Sequence, residues 1–172
     1  YTTSAFGANI VSNTYDADKE CWVIMFDVPI TSIGDMAFLW CSKLTSIIIP
    51  DSVTEIGWQA FYSCDSLTSV TIPNSVTTIG QTAFGHCKSL TSVTIPDSVT
   101  KIGYRAFYYC TSLTSVTIPD SVAEIGGSAF QECESLTNIT IPDSVTLIGD
   151  GAFAGCTSLK DVYCKPTTPP TG

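Results

Sequence analysis

Positive charge is scarce in this sequence. Seven Lys and Arg residues and one His stand against 16 Asp and Glu residues, which gives a formal net charge of −9. Proteins that bind the phosphate backbone of nucleic acids use clustered cations, whereas the basic residues here are scattered along the chain. The composition therefore argues against a nucleic-acid partner and, for the same reason, against an anionic membrane surface.

Long apolar segments are missing as well. The longest apolar run covers residues 21–26, which is far shorter than the roughly 20 residues that an α-helix needs to cross a bilayer. No membrane-spanning helix is therefore expected in this segment. No signal peptide is recognisable and the chain opens on Tyr1, so we expect a mature or excised form from which an export signal has been removed.

Motifs of the common enzyme classes are absent too. The chain has no G-x-G-x-x-G, G-x-x-x-x-G-K-[ST], G-x-S-x-G or H-E-x-x-H sequence, the patterns that bind phosphates, expose a nucleophilic Ser or hold a catalytic Zn²⁺. The single histidine, His86, adjoins Cys87, but neighbouring side chains are expected to point in different directions. We therefore predict a non-catalytic protein with no cofactor and no metal.

Internal repetition is what the sequence has in abundance. The dipeptide Ile-Gly recurs every 23 residues, and an Ala-Phe pair, a Cys and a Leu recur in phase with it. The repeated Ile residues are Ile33, Ile56, Ile79, Ile102, Ile125 and Ile148. One such unit cannot bury its own apolar face, so six units without an insertion predict a solenoid in which neighbouring coils share a core.

The pattern within a unit predicts one short strand and one compact turn segment. In residues 67–73, apolar side chains alternate with Ser and Thr until Pro73, which cannot donate a ladder hydrogen bond and stops the strand. Residues 80–87 place an Ala, a Phe and a Cys on one face at helical spacing. We therefore predict a turn or two of α- or 3₁₀-helix in that segment of each coil.

The repeated unit L-x-x-V-x-I-P-x-S-V-x-x-I-G-x-x-A-F-x-x-C-x-S resembles the 23-residue leucine-rich repeat of BspA-like bacterial surface proteins. The resemblance covers residues 33–164 and implies a right-handed, curved leucine-rich-repeat solenoid on a bacterial cell envelope. It also implies adhesion to host-matrix proteins or to other cells. We accordingly expect a secreted or cell-surface location and a protein ligand on a host or neighbouring cell.

Three segments are expected along the chain. Residues 1–32 form an N-terminal cap, with strands of a β-hairpin at 8–14 and 21–28 and a turn at 16–19. The six repeats occupy residues 33–55, 56–78, 79–101, 102–124, 125–147 and, incompletely, 148–164. The Pro/Thr-rich tail at 165–172 is poorly suited to cover an apolar core, so we expect further chain or a partner at that edge.

Six of the eight cysteines recur with the repeat. Coils stacked about 4.8 Å apart would bring neighbouring Cα atoms within disulfide range, but side chains that all point inward cannot bond without twisting the coils. Four converging zinc ligands are not evident either. We predict buried free thiols, with Cys164 in the same role, and leave Cys21 unassigned. The recurring residues are Cys41, Cys64, Cys87, Cys110, Cys133 and Cys156.

A row of acidic residues follows the prolines of the repeat. A row of carboxylates could bind Ca²⁺. One unit, however, carries Asn in the same position, and hydrogen bonds within the turn explain both residue types. Turn formation is therefore the preferred interpretation. The row consists of Asp51, Asn74, Asp97, Asp120 and Asp143.

Two surfaces are candidates for ligand binding. The outward positions of the strands form hydroxyl rows that could match a repetitive glycan or ice, although a solvated β-face is the preferred interpretation. These positions are Thr68, Ser69, Thr71, Thr91, Ser92, Thr94, Thr114, Ser115 and Thr117. Aromatic residues and one Arg beside the Ala-Phe pairs are typical anchors of protein interfaces, although such rings could instead cover core edges: Trp40, Trp58, Tyr62, Tyr104, Arg105, Tyr108 and Tyr109.

These observations favour a binding or adhesion module that recognises a protein through an extended surface. Two alternatives remain open at this point. The chain could be a rigid spacer within a larger surface protein, as the uniformity of the repeats suggests. It could also bind a repetitive glycan through the Ser/Thr rows of the strand face.

Overall fold

The computed structural model describes residues 5–16 and 21–164. An antiparallel hairpin precedes six stacked coils, as the sequence predicts. The predicted hairpin turn at 16–19 lies mostly outside the described residues, and so does the tail at 165–172. The strands are β1 Ile10–Asp16, β2 Cys21–Phe26, β3 Ser32–Ile33, β4 Ser46–Ile48, β5 Glu55–Ile56, β6 Ser69–Thr71, β7 Thr78–Ile79, β8 Ser92–Thr94, β9 Lys101–Ile102, β10 Ser115–Thr117, β11 Glu124–Ile125, β12 Asn138–Ile141, β13 Leu147–Ile148 and β14 Asp161–Cys164.

The hairpin closes the N-terminal end of the solenoid. Strands β1 and β2 pair antiparallel, and their register shifts between Ile10 and Ser12. Phe6 is buried between the cap and the first coil, with its ring centroid 5.1 Å from that of Phe26 and 5.7 Å from that of Phe38. The predicted β-hairpin cap is therefore confirmed, and its aromatic side chains extend the core of the coils.

Each complete coil contributes strands to two parallel sheets rather than to one. The predicted strands of the repeats pair in register two by two, as Ser92–Thr94 does with Ser115–Thr117, and so form, among the described residues, three two-stranded sheets on one side of the solenoid. A second, six-stranded sheet consists of two-residue strands in the order β13-β11-β9-β7-β5-β3. The sequence pattern did not predict this sheet, because two residues are too few to show an alternation of apolar and polar side chains.

The predicted helical turn is wrong. In residues 80–87 the N–H groups of Thr82, Phe84 and His86 donate to carbonyls of the next coil, while the intervening N–H groups close turns to the third residue before them. Thr82 and His86 have φ angles of 57° and 59°, which suit the third position of a type II turn and interrupt a helix. The described part of every coil makes such a run of turns in this segment.

The core is a set of columns that run along the solenoid. Phe rings of successive coils stack from Phe38 to Phe153 with centroids 5.1–5.5 Å apart and interplanar angles of 2–5°. Ile56 and Ile102 in the Ile-Gly column are completely buried, whereas Ile148 in the sixth coil is 46% exposed. Burial therefore depends on having a coil on both sides, as a solenoid requires.

The glycines of the Ile-Gly pairs allow the coils to approach each other closely. A Cβ atom added to Gly80 would lie 2.6 Å from the carbonyl carbon of Gly57, and one added to Gly126 would lie 2.8 Å from that of Gly103. Neither Gly80 nor Gly126 has a positive φ. Glycine is needed in this column because the coils lie too close together to leave room for a side chain.

Candidate binding surfaces

The aromatic residues predicted as a protein-binding patch lie on the turn side of coils one, two and four. Trp40 is 70% exposed, Trp58 is 41% exposed and Tyr104 is 42% exposed. Tyr62 in the second coil and Arg105, Tyr108 and Tyr109 in the fourth coil are half-buried. The patch thus divides into exposed indoles near the cap and a more covered group around the fourth coil.

The covered group is organised by His86, which sequence reasoning did not include. Its ring stacks on that of Tyr109, with 4.9 Å between the ring centroids and an interplanar angle of 6°. The ring centroids of Tyr62 and Tyr108 lie 5.1 Å and 5.3 Å from that of His86. Gly85 leaves room for the Tyr62 ring, since a Cβ there would lie 3.0 Å from Tyr62 Cδ2. The signal that could have identified His86 is its register, 23 residues before Tyr109.

Partial burial lowers the pKa of His86. The positive charge of Lys88 reinforces this effect, and the negative charge of Asp65 opposes it. The ring is therefore neutral at pH 7, because the ordinary histidine pKa is already near 6.5. The cluster of Tyr62, His86 and Tyr109 consequently carries little charge at that pH. These contacts support the expectation that part of the patch covers the edges of the core.

Arg105 joins this aromatic group to Tyr104. Its guanidinium carbon lies 5.0 Å from the ring centroid of Tyr104 and 5.0 Å from that of Tyr108. Its Nε atom is buried and has no hydrogen-bond partner. We call Arg105 with these two tyrosines the Arg105 clamp.

The nine predicted strand-face residues are all exposed, but they are not equivalent. The hydroxyls of Thr68, Thr91 and Thr114 donate to the backbone carbonyl of the residue one coil earlier, over distances of 3.1–3.3 Å. These hydroxyls stabilise the stack and are not free to donate to a ligand. The remaining hydroxyls belong to the Ser-x-Thr positions, such as Ser92 and Thr94.

All seven cysteines whose side chains the structure describes are free thiols. The thiol of Cys64 donates to the Phe38 carbonyl at 3.2 Å, and the later repeat cysteines make the same bond to the coil before them. Burial raises the pKa of Cys64 to about 12 and also holds the pKa of Cys110 well above its ordinary value. Cys41 is half-buried rather than buried, and the predicted burial of Cys164 is wrong, since this free thiol is exposed: no described residue packs over that side of β14. The side chain of Cys21 lies outside the described part.

The described residues form neither a metal-binding cluster nor a membrane-spanning helix. The five residues of the predicted acidic row are exposed, and the described residues contain no group of three His, Cys, Asp or Glu side chains placed to hold a metal ion. No helix within the described ranges has the length and hydropathy of a membrane span.

The repeats match a known protein family. The family described as "BspA type Leucine rich repeat region (6 copies)" matches residues 8–96 and 77–169. The chain belongs to this BspA-type leucine-rich-repeat family. The resemblance noted in the sequence is thereby confirmed, as is the solenoid of 23-residue coils. No curated protein matches the chain.

Several solved structures resemble this BspA-type chain. A leucine-rich-repeat protein of T. pallidum has 31% sequence identity and a TM-score of 0.69, with 94% of this chain and 70% of that one covered. A leucine-rich cell surface protein of Faecalibacterium prausnitzii has 33% identity and a TM-score of 0.60, with coverages of 97% and 55%. A protein of Bacteroides ovatus has 28% identity and a TM-score of 0.61, with coverages of 90% and 51%.

The BspA-type chain thus spans 70% of the first of these structures and little more than half of the other two. Repeats of this bacterial surface type serve in general as non-catalytic modules with a binding or structural role.

Proposed function

We propose that this chain is a non-catalytic adhesion module of a secreted or cell-surface protein, which binds a protein on a host or neighbouring cell. Contact is made through the turn side rather than the strand face. The observation that carries the proposal is the exposure of two tryptophans in adjacent coils, Trp40 at 70% and Trp58 at 41%, beside Met36 at 44%.

Exposed indoles are unfavourable unless another surface covers them. A Trp side chain buries about 150–250 Å² in an interface, and each Å² of apolar surface removed from water contributes roughly 25 cal/mol. Two indoles can therefore supply several kcal/mol to a complex. At the positions equivalent to Trp40 and Trp58, the later coils carry smaller or more polar residues, beginning with Ser63 and Gln81. The tryptophans are therefore not required by the fold.

A rigid spacer is the second candidate. The regular stack of Phe rings, with spacings of 5.1–5.5 Å over six coils, gives a stiff and uniform body. Glycan binding by the strand face has less support, because one third of the predicted hydroxyls donate within the solenoid.

The test uses substitutions that copy residues from other coils. Trp40→Ser with Trp58→Gln gives these positions the residues found one coil later, at Ser63 and Gln81, so the coils should fold normally. Binding to immobilised collagen, laminin and fibronectin is measured by biolayer interferometry. We expect the double variant to lose at least tenfold in affinity with an unchanged thermal midpoint.

The matched control is Ile48→Thr, which replaces an 89% exposed strand-face residue by the residue found one coil later, at Thr71. It should bind as tightly as the parent chain. If none of the matrix proteins binds the parent chain, the adhesion proposal fails and the spacer remains. Loss of binding in Ile48→Thr alone would move the interface to the strand face.

A further inference from the structure

Arg105 is the only arginine in a chain of net charge −9, and within residues 5–16 and 21–164 its charge forms no ion pair. Lys88 and Lys101 form ion pairs with Asp65 and Glu124 at 3.4 Å and 2.8 Å. Among the described residues, no carboxylate lies within ion-pair distance of Arg105. A half-buried cation without a counter-charge is unusual, because charges removed from water are normally paired.

The guanidinium is also held in place. It lies at 5.0 Å from the centroids of both Tyr104 and Tyr108, and aromatic faces attract a guanidinium by cation–π and stacking interactions. Its Nε is covered and has no partner, so the terminal Nη atoms are left for a ligand. A side chain fixed in this way loses less conformational entropy when it binds.

The surroundings of the clamp strengthen an ion pair with a ligand. Tyr108 contacts His86 and Tyr109, and the neutral His86 adds no competing charge at pH 7. Aromatic rings lower the local dielectric constant, and Coulomb energies rise as the dielectric constant falls. The fork of an arginine matches the two oxygens of a carboxylate, which a lysine does not.

We propose that the Arg105 clamp binds the carboxylate of an Asp or Glu side chain on the protein partner. The proposal rests on the adhesion function and names the chemistry of its ligand. Tyr104 occupies the same register as Trp58, two coils further along, so one partner can reach both. Because the net charge of −9 repels a strongly acidic protein, the recognised carboxylate lies in a segment that is otherwise neutral or basic.

The single arginine makes a direct test possible. In a ¹⁵N-labelled chain only Arg105 gives an arginine Nε–H correlation, and burial of Nε protects that proton from exchange. The signal is followed while the blocked peptide Gly-Glu-Gly is added at constant ionic strength. Gly-Gln-Gly, which lacks the carboxylate, is the matched control, and the methyl glycoside of glucuronic acid represents an acidic glycan.

We expect a saturable shift with Gly-Glu-Gly and none with Gly-Gln-Gly. Tyr108→Gln copies Gln131 of the next coil and keeps the arginine signal. It should lower the affinity for Gly-Glu-Gly roughly tenfold, because the guanidinium is no longer held in place by the Tyr108 ring. Equal shifts with both peptides, or no saturation, would overturn the proposal. Tighter binding of the glucuronide than of Gly-Glu-Gly would overturn the assignment to a protein carboxylate.

A variant of Arg105 separates this inference from the adhesion function. Arg105→Gln copies Gln59, which has the same register and a φ of 53°. In the matrix-protein assay it should lower affinity roughly tenfold. If only the tryptophan variant loses binding, adhesion stands and the clamp proposal fails. If the peptide shifts the arginine signal but no matrix protein binds, the clamp stands and the adhesion proposal fails.

Discussion

At the scale of single residues, the inward cysteines connect one coil to the next. Cys110 is completely buried and donates its thiol proton to the Phe84 carbonyl at 3.2 Å. That carbonyl also accepts a bond from the Cys87 N–H group. Cysteine suits the position because it is small and apolar and has a weak donor. Its inward direction followed from the repeat, but its partner belongs to another coil and could not be read from one unit.

The raised thiol pKa values predict that the protein loses stability in alkali. Burial holds the pKa of Cys64 at about 12, whereas an unfolded cysteine titrates near 8.5. The folded state therefore retains protons that the unfolded state releases. This stabilisation is complete below about pH 8.5 and falls by about 1.4 kcal/mol per pH unit and per thiol as the pH rises toward the folded pKa.

The measurement is urea unfolding under reducing conditions between pH 8 and 10.5. Tyrosines and lysines also titrate in this range, so the comparison is made with Cys110→Ser, which lacks one thiol whose pKa burial raises. Its free energy of unfolding should fall less steeply with pH than that of the parent chain. Parallel slopes would show that this thiol does not carry the effect.

At the scale of elements, the coil differs from its sequence prediction in one segment. Apolar spacing in residues 80–87 predicted a helix, whereas positive φ angles at Thr82 and His86 produce turns whose N–H groups bond the next coil. Ala83, Phe84 and Cys87 still face the core. The apolar pattern determined which side chains are inside, but bonding between coils determined the backbone conformation.

Two adjacent glycines predict a contrast in stability. A Cβ on Gly126 would lie 2.8 Å from the Gly103 carbonyl carbon, whereas one on Gly127 would meet nothing closer than the Asp150 carbonyl oxygen at 3.3 Å. Gly126→Ala should therefore cost about 3 kcal/mol by forcing coils apart, and Gly127→Ala less than about 1 kcal/mol. Chemical denaturation of both variants measures the difference. Similar losses of unfolding free energy in the two variants would mean that close approach of the coils is not the reason for glycine at position 126.

At the scale of the whole molecule, stability depends on neighbouring coils. Ile102 is fully buried in the fourth coil, while Ile148 in the same column is 46% exposed in the sixth. Ile102→Ala should cost about 3–4 kcal/mol and Ile148→Ala less than about 1.5 kcal/mol, because the second site loses little buried surface. Denaturant unfolding of the two variants tests this. Equal costs would contradict a core made by stacking.

The sequence alone determined the solenoid, its 23-residue period, the N-terminal hairpin and the inward apolar columns, because a period and an alternation of side chains specify which faces must be buried. The sequence also placed the aromatic residues and Arg105 beside one another in register. Only the tertiary structure decided the second sheet, the run of turns, the central place of His86 and the lack of a carboxylate partner for Arg105 in the described part of the chain. These features depend on contacts between residues of different coils, and a pattern within one repeat carries no information about how the next coil bonds to it.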